Sequence, residues 1–194
     1  MSGNEPSTPG LQPAPVTWAR VARRIRVPLS FLAAAAYIWL ARPSWTSLIV
    51  GTLMMLPGLL LRASASGHVQ KDKQLTTTGP YAYSRNPLYL GSLIIAAGFA
   101  VAARSWWIVA VMLLIFLLIY VPVVAGEERY LRETFSEYAD YASRVPRLLP
   151  RLTPYGNQKG DYSSARYWKH REYQASLGCL IMLAILIVKI VITR

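Results

Sequence analysis

The residues best suited to chemistry lie where a polar loop meets an apolar run, over residues 79–91 (GPYAYSRNPLYLG). Asn86 is a preferred N-cap residue and Pro87 suits a first helical turn, so this pattern predicts that a helix begins here. A helix start presents free backbone N–H groups and the positive end of the helix dipole, which suit a carboxylate or a phosphate. Arg85 adds a cation directly before it. The junction is therefore either a helix start alone or a binding site for an anionic group.

A pair of acidic residues, Glu127 and Glu128, follows the longest apolar block. Acidic side chains at a membrane boundary are usually solvated. A carboxylate at membrane depth can, however, also hold a cation or an ammonium group. The pair is a second candidate for a site, of opposite charge to the first.

Other common site signatures are missing from the sequence. It has no P-loop and no GxGxxG, so it signals no Rossmann-type nucleotide site. The two histidines, His68 and His170, are too few and too far apart for a histidine-rich metal cluster, and the single Cys179 cannot form an intrachain disulfide. We therefore expect no metal.

The elements that must position these residues are apolar. Of the 194 residues, 54% are hydrophobic and only 15% are charged, against about 25% in soluble domains. The apolar residues form five blocks, at 27–41, 45–61, 88–103, 106–125 and 177–192. Most are shorter than the roughly 20 residues that cross a bilayer, and flanking tryptophans extend them as interface anchors. Two very short connections, 42–44 and 104–105, require helical hairpins. The sequence thus predicts an all-α, polytopic integral membrane protein with about five transmembrane helices, in two hairpins plus a C-terminal span.

The net charge of +12 fits membrane flanks better than nucleic acid, for which we expect no role. If the N-terminus is cytoplasmic, the segments before 27, at 62–87 and at 126–176 carry 4, 4 and 9 Lys and Arg residues, or 17 of the 21. The positive-inside rule then places the N-terminus and the candidate site in the cytoplasm.

Three further segments complete the chain. Residues 1–17 are rich in Pro, Gly, Ser and Thr and are predicted to be a disordered tail. Residues 126–146 carry apolar side chains at helical spacing, which predicts an amphipathic helix at the membrane surface or continuing the fourth span. Residues 152–194 form a C-terminal segment with a basic-aromatic stretch at 166–171 and an additional span, and the region at 18–151 is the main domain.

The ordered set LxTxGxYxxxRNPxYxG, helical hairpin, EExxL, FxEYxxY and VPRLLP resembles the isoprenylcysteine carboxyl methyltransferase family. That family belongs to a wider group of integral-membrane methyltransferases that includes phospholipid N-methyltransferases. The resemblance runs over residues 62–151. The middle residue of the family's usual Arg-His-Pro is here Asn86, which can still donate and accept hydrogen bonds.

The resemblance implies S-adenosyl-L-methionine as methyl donor, bound by a cytoplasmic loop and the helix that follows. The donor-binding residues carried over are Gln70, Lys73, Gln74, Leu75, Thr76, Tyr81, Asn86, Pro87, Leu88, Tyr89 and Glu127. Glu127, Arg85 and Tyr89 are the expected catalytic residues: the carboxylate balances positive charge, the guanidinium takes the donor's carboxylate, and the ring packs near the sulfonium.

The resemblance also implies a lipidic or prenylated methyl acceptor that arrives from the bilayer. Its expected contacts are Val123, Glu128 and Arg129. The family places an arginine four residues before its acidic residue to hold the acceptor's carboxylate, and Val123 stands there, so Arg129 or Arg132 would have to replace it. The alternative is an N-methyltransferase in which Glu127 and Glu128 bind an ammonium headgroup. A sterol-type membrane reductase and a non-catalytic membrane protein are the remaining hypotheses.

Overall fold

The computed structural model describes residues 31–70, 74–156 and 160–193. Within these ranges the chain is helical and contains no strand, which confirms the all-α prediction. The elements are α1 (Phe31–Leu40), α2 (Trp45–His68), a 3-10 turn (Gly79–Ala82), α3 (Pro87–Ala103), α4 (Trp106–Ile115), a π-turn (Phe116–Tyr120), α5 (Val121–Thr134), α6 (Tyr138–Arg144), α7 (Ser164–Lys169) and α8 (Tyr173–Ile192). The predicted tail at 1–17 lies outside the described residues.

Each predicted apolar block corresponds to a helix. Among the described residues, α2, the continuous helix Trp106–Thr134 and α8 are long and apolar enough to cross a membrane. The apolar helices α1 and α3 are shorter, at 10 and 17 described residues. Trp39 and Trp106 are 81% and 87% exposed, as expected for side chains that meet lipid rather than protein. The architecture is that of a polytopic integral membrane protein.

Two helices differ from the sequence prediction. Helix α2 continues past residue 61 to His68, because Ala65, Ser66 and Gly67 are buried against other parts of the protein instead of entering water. The predicted amphipathic helix at 126–146 is divided: its first half continues the fourth span as α5, and the chain becomes extended at Phe135 before α6 begins.

Helices α2 and α3 pack closely along glycines. A Cβ atom on Gly51 would lie 2.5 Å from the carbonyl oxygen of Gly98, and one on Gly58 would lie 2.7 Å from that of Gly91. At the end of this seam, the Ser47 hydroxyl donates to the carbonyl of Ala102 (3.1 Å). The two hairpins are thus joined backbone to backbone, which places the start of α3 beside the end of α2.

The Gly51→Ala substitution is expected to lower the free energy of unfolding in detergent by about 1 to 3 kcal/mol, because the added methyl group overlaps backbone atoms. Gly178→Ala in α8 is the matched control, since a Cβ atom there has nothing within 4 Å. The control is expected to be neutral or slightly stabilising, as alanine favours a helix over glycine. Equal denaturation midpoints for the two variants would show that α2 and α3 do not approach each other closely at Gly51.

Helix α8 is tied to α1 by a lysine within its apolar sequence. The Lys189 ammonium donates to the carbonyl oxygens of Ile38 (2.5 Å) and Trp39 (3.1 Å) at the end of α1. Those carbonyls have no partner within their own helix, so the lysine satisfies them. The C-terminal span is therefore part of the same bundle.

Candidate active site

The loop before α3, described over residues 74–86, is held in place by residues 145–155, which follow α6. The backbone N–H of Arg85 donates to the carbonyl of Pro146 (3.0 Å), and that of Tyr155 donates to the carbonyl of Ala82 (2.9 Å). The buried Ser84 hydroxyl donates to the carbonyl of Leu148 (2.9 Å). The VPRLLP motif (145–150) therefore holds the segment around the RNP motif (85–87) through hydrogen bonds to its own backbone carbonyls.

Two buried tyrosines of α6 pack against the same loop. Tyr138 and Tyr141 are buried, and the Tyr141 hydroxyl donates to the carbonyl of Tyr81 (2.7 Å). Burial raises the pKa of Tyr141, so its hydroxyl keeps the proton that it donates. The chain is extended at Phe135, which separates α6 from α5, and Tyr141 of α6 reaches the loop through its hydrogen bond to the Tyr81 carbonyl.

Glu128 is the centre of a buried polar network. Its carboxylate accepts hydrogen bonds from Asn86 Nδ2 (3.1 Å) and from Arg147 Nε and Nη2 (3.0 and 2.6 Å). Arg85 Nη1 lies 3.6 Å from Oε1 of the same carboxylate. The hydrogen bonds that Arg147 donates to Glu128, and the negative charge of that carboxylate, raise the pKa of Arg147. A buried carboxylate needs such partners, because it has lost its hydration.

The helix start predicted at Asn86 is confirmed, but the Asn86 side chain does not cap it. Asn86 occupies the N-cap position and Pro87 the first turn, but the amide makes no capping hydrogen bond to α3. Its Nδ2 group donates to Glu128 and to the carbonyl of Arg147 (3.0 Å) instead. These two bonds from Nδ2 orient the amide, and its oxygen makes no capping hydrogen bond to the backbone N–H groups of α3.

A cavity of about 670 Å³ lies between the loop, α3 and the α5 helix. The predicted site residues that line it are Gln70, Gln74, Leu75, Thr76, Tyr81, Arg85, Asn86, Pro87, Leu88, Tyr89 and Glu127. Lys73 lies outside the described residues. Of the three predicted acceptor contacts, Glu128 points into its own network, Val123 is buried behind Tyr89, and Arg129 is exposed outside the cavity. Their proposed roles stay predictions.

Glu127 faces the cavity with an exposed carboxylate. The Tyr89 hydroxyl donates to its Oε1 (3.0 Å), and the Tyr89 ring contacts the edge of Tyr120 (centroids 5.9 Å apart). Burial raises the pKa of Tyr81, and the negative charges of Glu127 and Glu172 add to this effect. The cavity thus combines a carboxylate, neutral phenols and a guanidinium.

Part of the cavity wall is formed by residues that the sequence did not predict, namely Arg62, Ser66, Ser92, Tyr120, Tyr130, His170 and Glu172. Arg62 Nε forms an ion pair with Glu172 Oε1 at 2.6 Å, across 110 residues of sequence. In the sequence, Glu172 is recognisable only as a single acidic residue between the basic-aromatic stretch at 166–171 and the C-terminal apolar run. The C-terminal segment therefore contributes directly to the cavity.

The C-terminal segment also covers the back of the loop. The backbone N–H of Ser163 donates to the carbonyl of Gly67 (3.0 Å), and the Tyr162 ring contacts His68 (centroids 5.9 Å apart). Gly160 approaches Thr78 so closely that a Cβ atom would overlap its side chain. Residues 160–172 thus fix both the loop and the Arg62 partner.

A second cavity of about 550 Å³ lies deeper among the apolar helices. Its lining comes from α1, α3, α4 with the π-turn, and α8, and includes Tyr37, Phe99, Phe116, Cys179 and Met182. Ser92 and Tyr120 line both cavities. The polar and apolar cavities therefore adjoin.

Comparison with known proteins gives two curated bacterial relatives. The chain is 32% identical over 139 residues to the cobalt-zinc-cadmium resistance protein CzcN of Cupriavidus metallidurans, covering 67% of this chain and 63% of that protein. It is 34% identical over 116 residues to the nickel-cobalt-cadmium resistance protein NccN of Alcaligenes xylosoxydans xylosoxydans, covering 59% and 54%. The matched region thus spans less than two thirds of either relative.

No solved structure matches the chain significantly. The family model described as phospholipid methyltransferase matches residues 46–138, from the start of α2 to the start of α6. This range contains the loop, Glu127 and most of the cavity wall, but not residues 160–172. Residues 46–138, just under half of the chain, thus match the phospholipid methyltransferase family, in agreement with the resemblance to isoprenylcysteine carboxyl methyltransferase-like membrane methyltransferases that the motifs indicate.

Proposed function

We propose that the protein transfers a methyl group from S-adenosyl-L-methionine to a lipidic acceptor, with the donor held in the polar cavity. The observation that carries this proposal is the convergence of the residues predicted for the donor. They are spread over positions 70 to 127 of the sequence, and those that the structure describes line one cavity. Its volume of about 670 Å³ is in the usual range for small-molecule sites.

The charges in the cavity fit the donor's charged groups. Arg85 offers a guanidinium to an α-carboxylate, and its buried Nε has no acceptor among the described residues. The first amides of α3 are free of a side-chain cap, since the Asn86 side chain makes no capping hydrogen bond, and such amides suit an anionic group. Glu127 supplies the negative charge that complements an ammonium or sulfonium group.

The proposed catalytic residues act mainly through alignment. When bound, the donor supplies a methyl group on a cationic sulfur. Tyr89 holds Glu127 through its hydroxyl and presents its ring to the cavity, where an aromatic face stabilises a nearby cation. The site needs no general base if the acceptor is a carboxylate, since that group is ionised near pH 7. Orientation and exclusion of water would then supply most of the rate.

The acceptor's apolar chain is proposed to occupy the apolar cavity. This occupant is supported by the position of that cavity among apolar helices and by its shared wall with the polar cavity at Ser92 and Tyr120. A lipid in this place would present its headgroup at the junction without leaving the bilayer. The leading acceptor is a prenylcysteine-type carboxylate. The family match and the exposed Glu127 carboxylate support an amine-lipid headgroup as the second candidate.

The site is further proposed to face the cytoplasm. Support comes from the charge distribution, in which 17 of 21 Lys and Arg residues fall on the segments that the positive-inside rule assigns to the cytoplasm. The described loop, α6 and residues 160–172 all meet at the same end of the bundle. This is expected if these segments lie on the same side of the membrane.

The function is tested with purified protein in lipid nanodiscs and methyl-radiolabelled S-adenosylmethionine. The acceptor panel consists of a prenylcysteine, phosphatidylethanolamine and an isoprenoid acid. We expect radioactivity in the lipid extract, lost when S-adenosylhomocysteine is added in excess. Label released by mild base identifies an ester, and base-stable label identifies an N-methyl product. A folded, donor-binding protein that labels none of these lipids would contradict the proposed acceptor class.

A further inference from the structure

We infer that Arg62, positioned by Glu172, recognises an anionic group of the acceptor headgroup where the polar and apolar cavities meet. The inference rests on the proposed function and adds to it a specificity-determining residue pair. The anionic group is a carboxylate, as in a prenylated amino acid, or the phosphate of a phospholipid. Glu172 lies outside the segment matched by the family, so this selectivity belongs to the C-terminal segment of the present chain.

Arg62 is placed at the junction by three contacts. Its Nη1 donates to the Ser92 hydroxyl (2.5 Å) and to the carbonyl of Leu88 (3.3 Å), and its Nε donates to Glu172 (2.6 Å). Because Ser92 lines both cavities, the guanidinium stands at the boundary between them. Among the described residues Nη2 has no acceptor, which leaves N–H groups for a ligand.

The other guanidiniums near the site are committed elsewhere or point away. Arg85 is assigned to the donor's carboxylate in the proposed function, and Arg147 pairs with Glu128. Arg132 lies over the Tyr138 ring, 6.0 Å from its centroid, outside the cavity. Arg62 is thus the cation that the described structure places beside the apolar cavity, where a headgroup would arrive.

Glu172 has two effects on Arg62. Its carboxylate, with a side chain 10% exposed, fixes the guanidinium and compensates its charge while no acceptor is present. The same carboxylate competes with an incoming anion for Arg62. Removing its charge while keeping its shape should therefore strengthen the binding of an anionic headgroup, whereas removing the Arg62 charge should weaken it.

The test measures equilibrium binding of three lipids to the full chain in detergent, without methyl transfer, together with donor affinity. The probes are a prenylcysteine for the carboxylate, phosphatidylethanolamine for the phosphate, and hexadecylamine, which carries no anion. Arg62→Gln is expected to raise the Kd of at least one anionic probe about tenfold or more, with the Kd of hexadecylamine and of S-adenosylmethionine within about twofold of wild type. The affected probe identifies the anion.

Glu172→Gln provides the second arm, and it keeps the test decisive if Arg62→Gln does not fold. It is expected to tighten binding of the same anionic probe by about two- to fivefold. Arg144→Gln, an exposed residue paired with Asp140, is the control and should change none of the constants. Unchanged affinity for both anionic probes in Glu172→Gln, or equal weakening of all three lipids in Arg62→Gln, overturns the inference. Absence of donor binding to the wild-type protein would instead refute the proposed function.

Discussion

Glu128→Ala is expected to lower the free energy of unfolding by about 3 kcal/mol. The substitution removes the carboxylate that Asn86 and Arg147 donate to and that Arg85 faces. The Arg85 side chain is 13% exposed, so it would be left as a buried and uncompensated charge. Arg147 is 55% exposed, so water can solvate its guanidinium once the carboxylate is gone. The expected loss of unfolding free energy is therefore at the lower end of the range for breaking a buried ion pair.

Glu133→Ala is the matched control, because Glu133 is an exposed acidic residue of the same helix. We expect its effect to stay within about 0.5 kcal/mol. Chemical denaturation in detergent, followed by tyrosine and tryptophan fluorescence, measures both. Equal stability of the two variants would mean that the Glu128 network does not hold the loop.

Glu127→Gln is expected to weaken S-adenosylmethionine binding by roughly 10- to 150-fold, or about 1.5 to 3 kcal/mol, the cost of losing a hydrogen bond to a charged group. The amide keeps the shape of the carboxylate and can still accept from the Tyr89 hydroxyl, so the fold should be unaffected. What is lost is the negative charge opposite the donor's cationic groups.

Two further variants separate this effect from the loss of any one negative charge on α5. Glu133→Gln should bind the donor as the wild-type protein does. Glu128→Gln should lower the denaturation midpoint more than Glu127→Gln, and lower donor affinity less, because its carboxylate faces the loop and not the cavity. Equal losses of donor affinity in Glu127→Gln and Glu128→Gln would refute the assignment of Glu127.

Local signals in the sequence predicted the helices well. Hydropathy located the five apolar helices that the described residues form, because lipid demands a continuous apolar surface, and the sequence shows such a surface directly. Pro87 marked the start of α3 correctly. The end of α2 was missed, since Ala65 and Gly67 become buried through contacts with remote segments that hydropathy does not encode.

Long-range pairing limited the prediction of the site. Motif resemblance placed Tyr81, Arg85 and Glu127 in one site, and they line one cavity. The pairing of Arg62 with Glu172 joins residues 110 positions apart, and neither is marked by its neighbours in the sequence. Asn86 shows the same limit: its cap propensity is local, but a buried carboxylate from another helix decides where its amide points.

The most direct test of the central claim is to locate the donor on the chain. The full-length protein is irradiated with ultraviolet light in the presence of radiolabelled S-adenosylmethionine, digested with trypsin, and mapped by mass spectrometry. Cleavage after Lys73 and Arg85 isolates residues 74–85, which contain Gln74, Thr76 and Tyr81 of the cavity wall. The account predicts that the label lies on this peptide or on the following one, 86–104, and that excess S-adenosylhomocysteine removes it. Competed label confined to peptides outside the cavity wall would contradict the account.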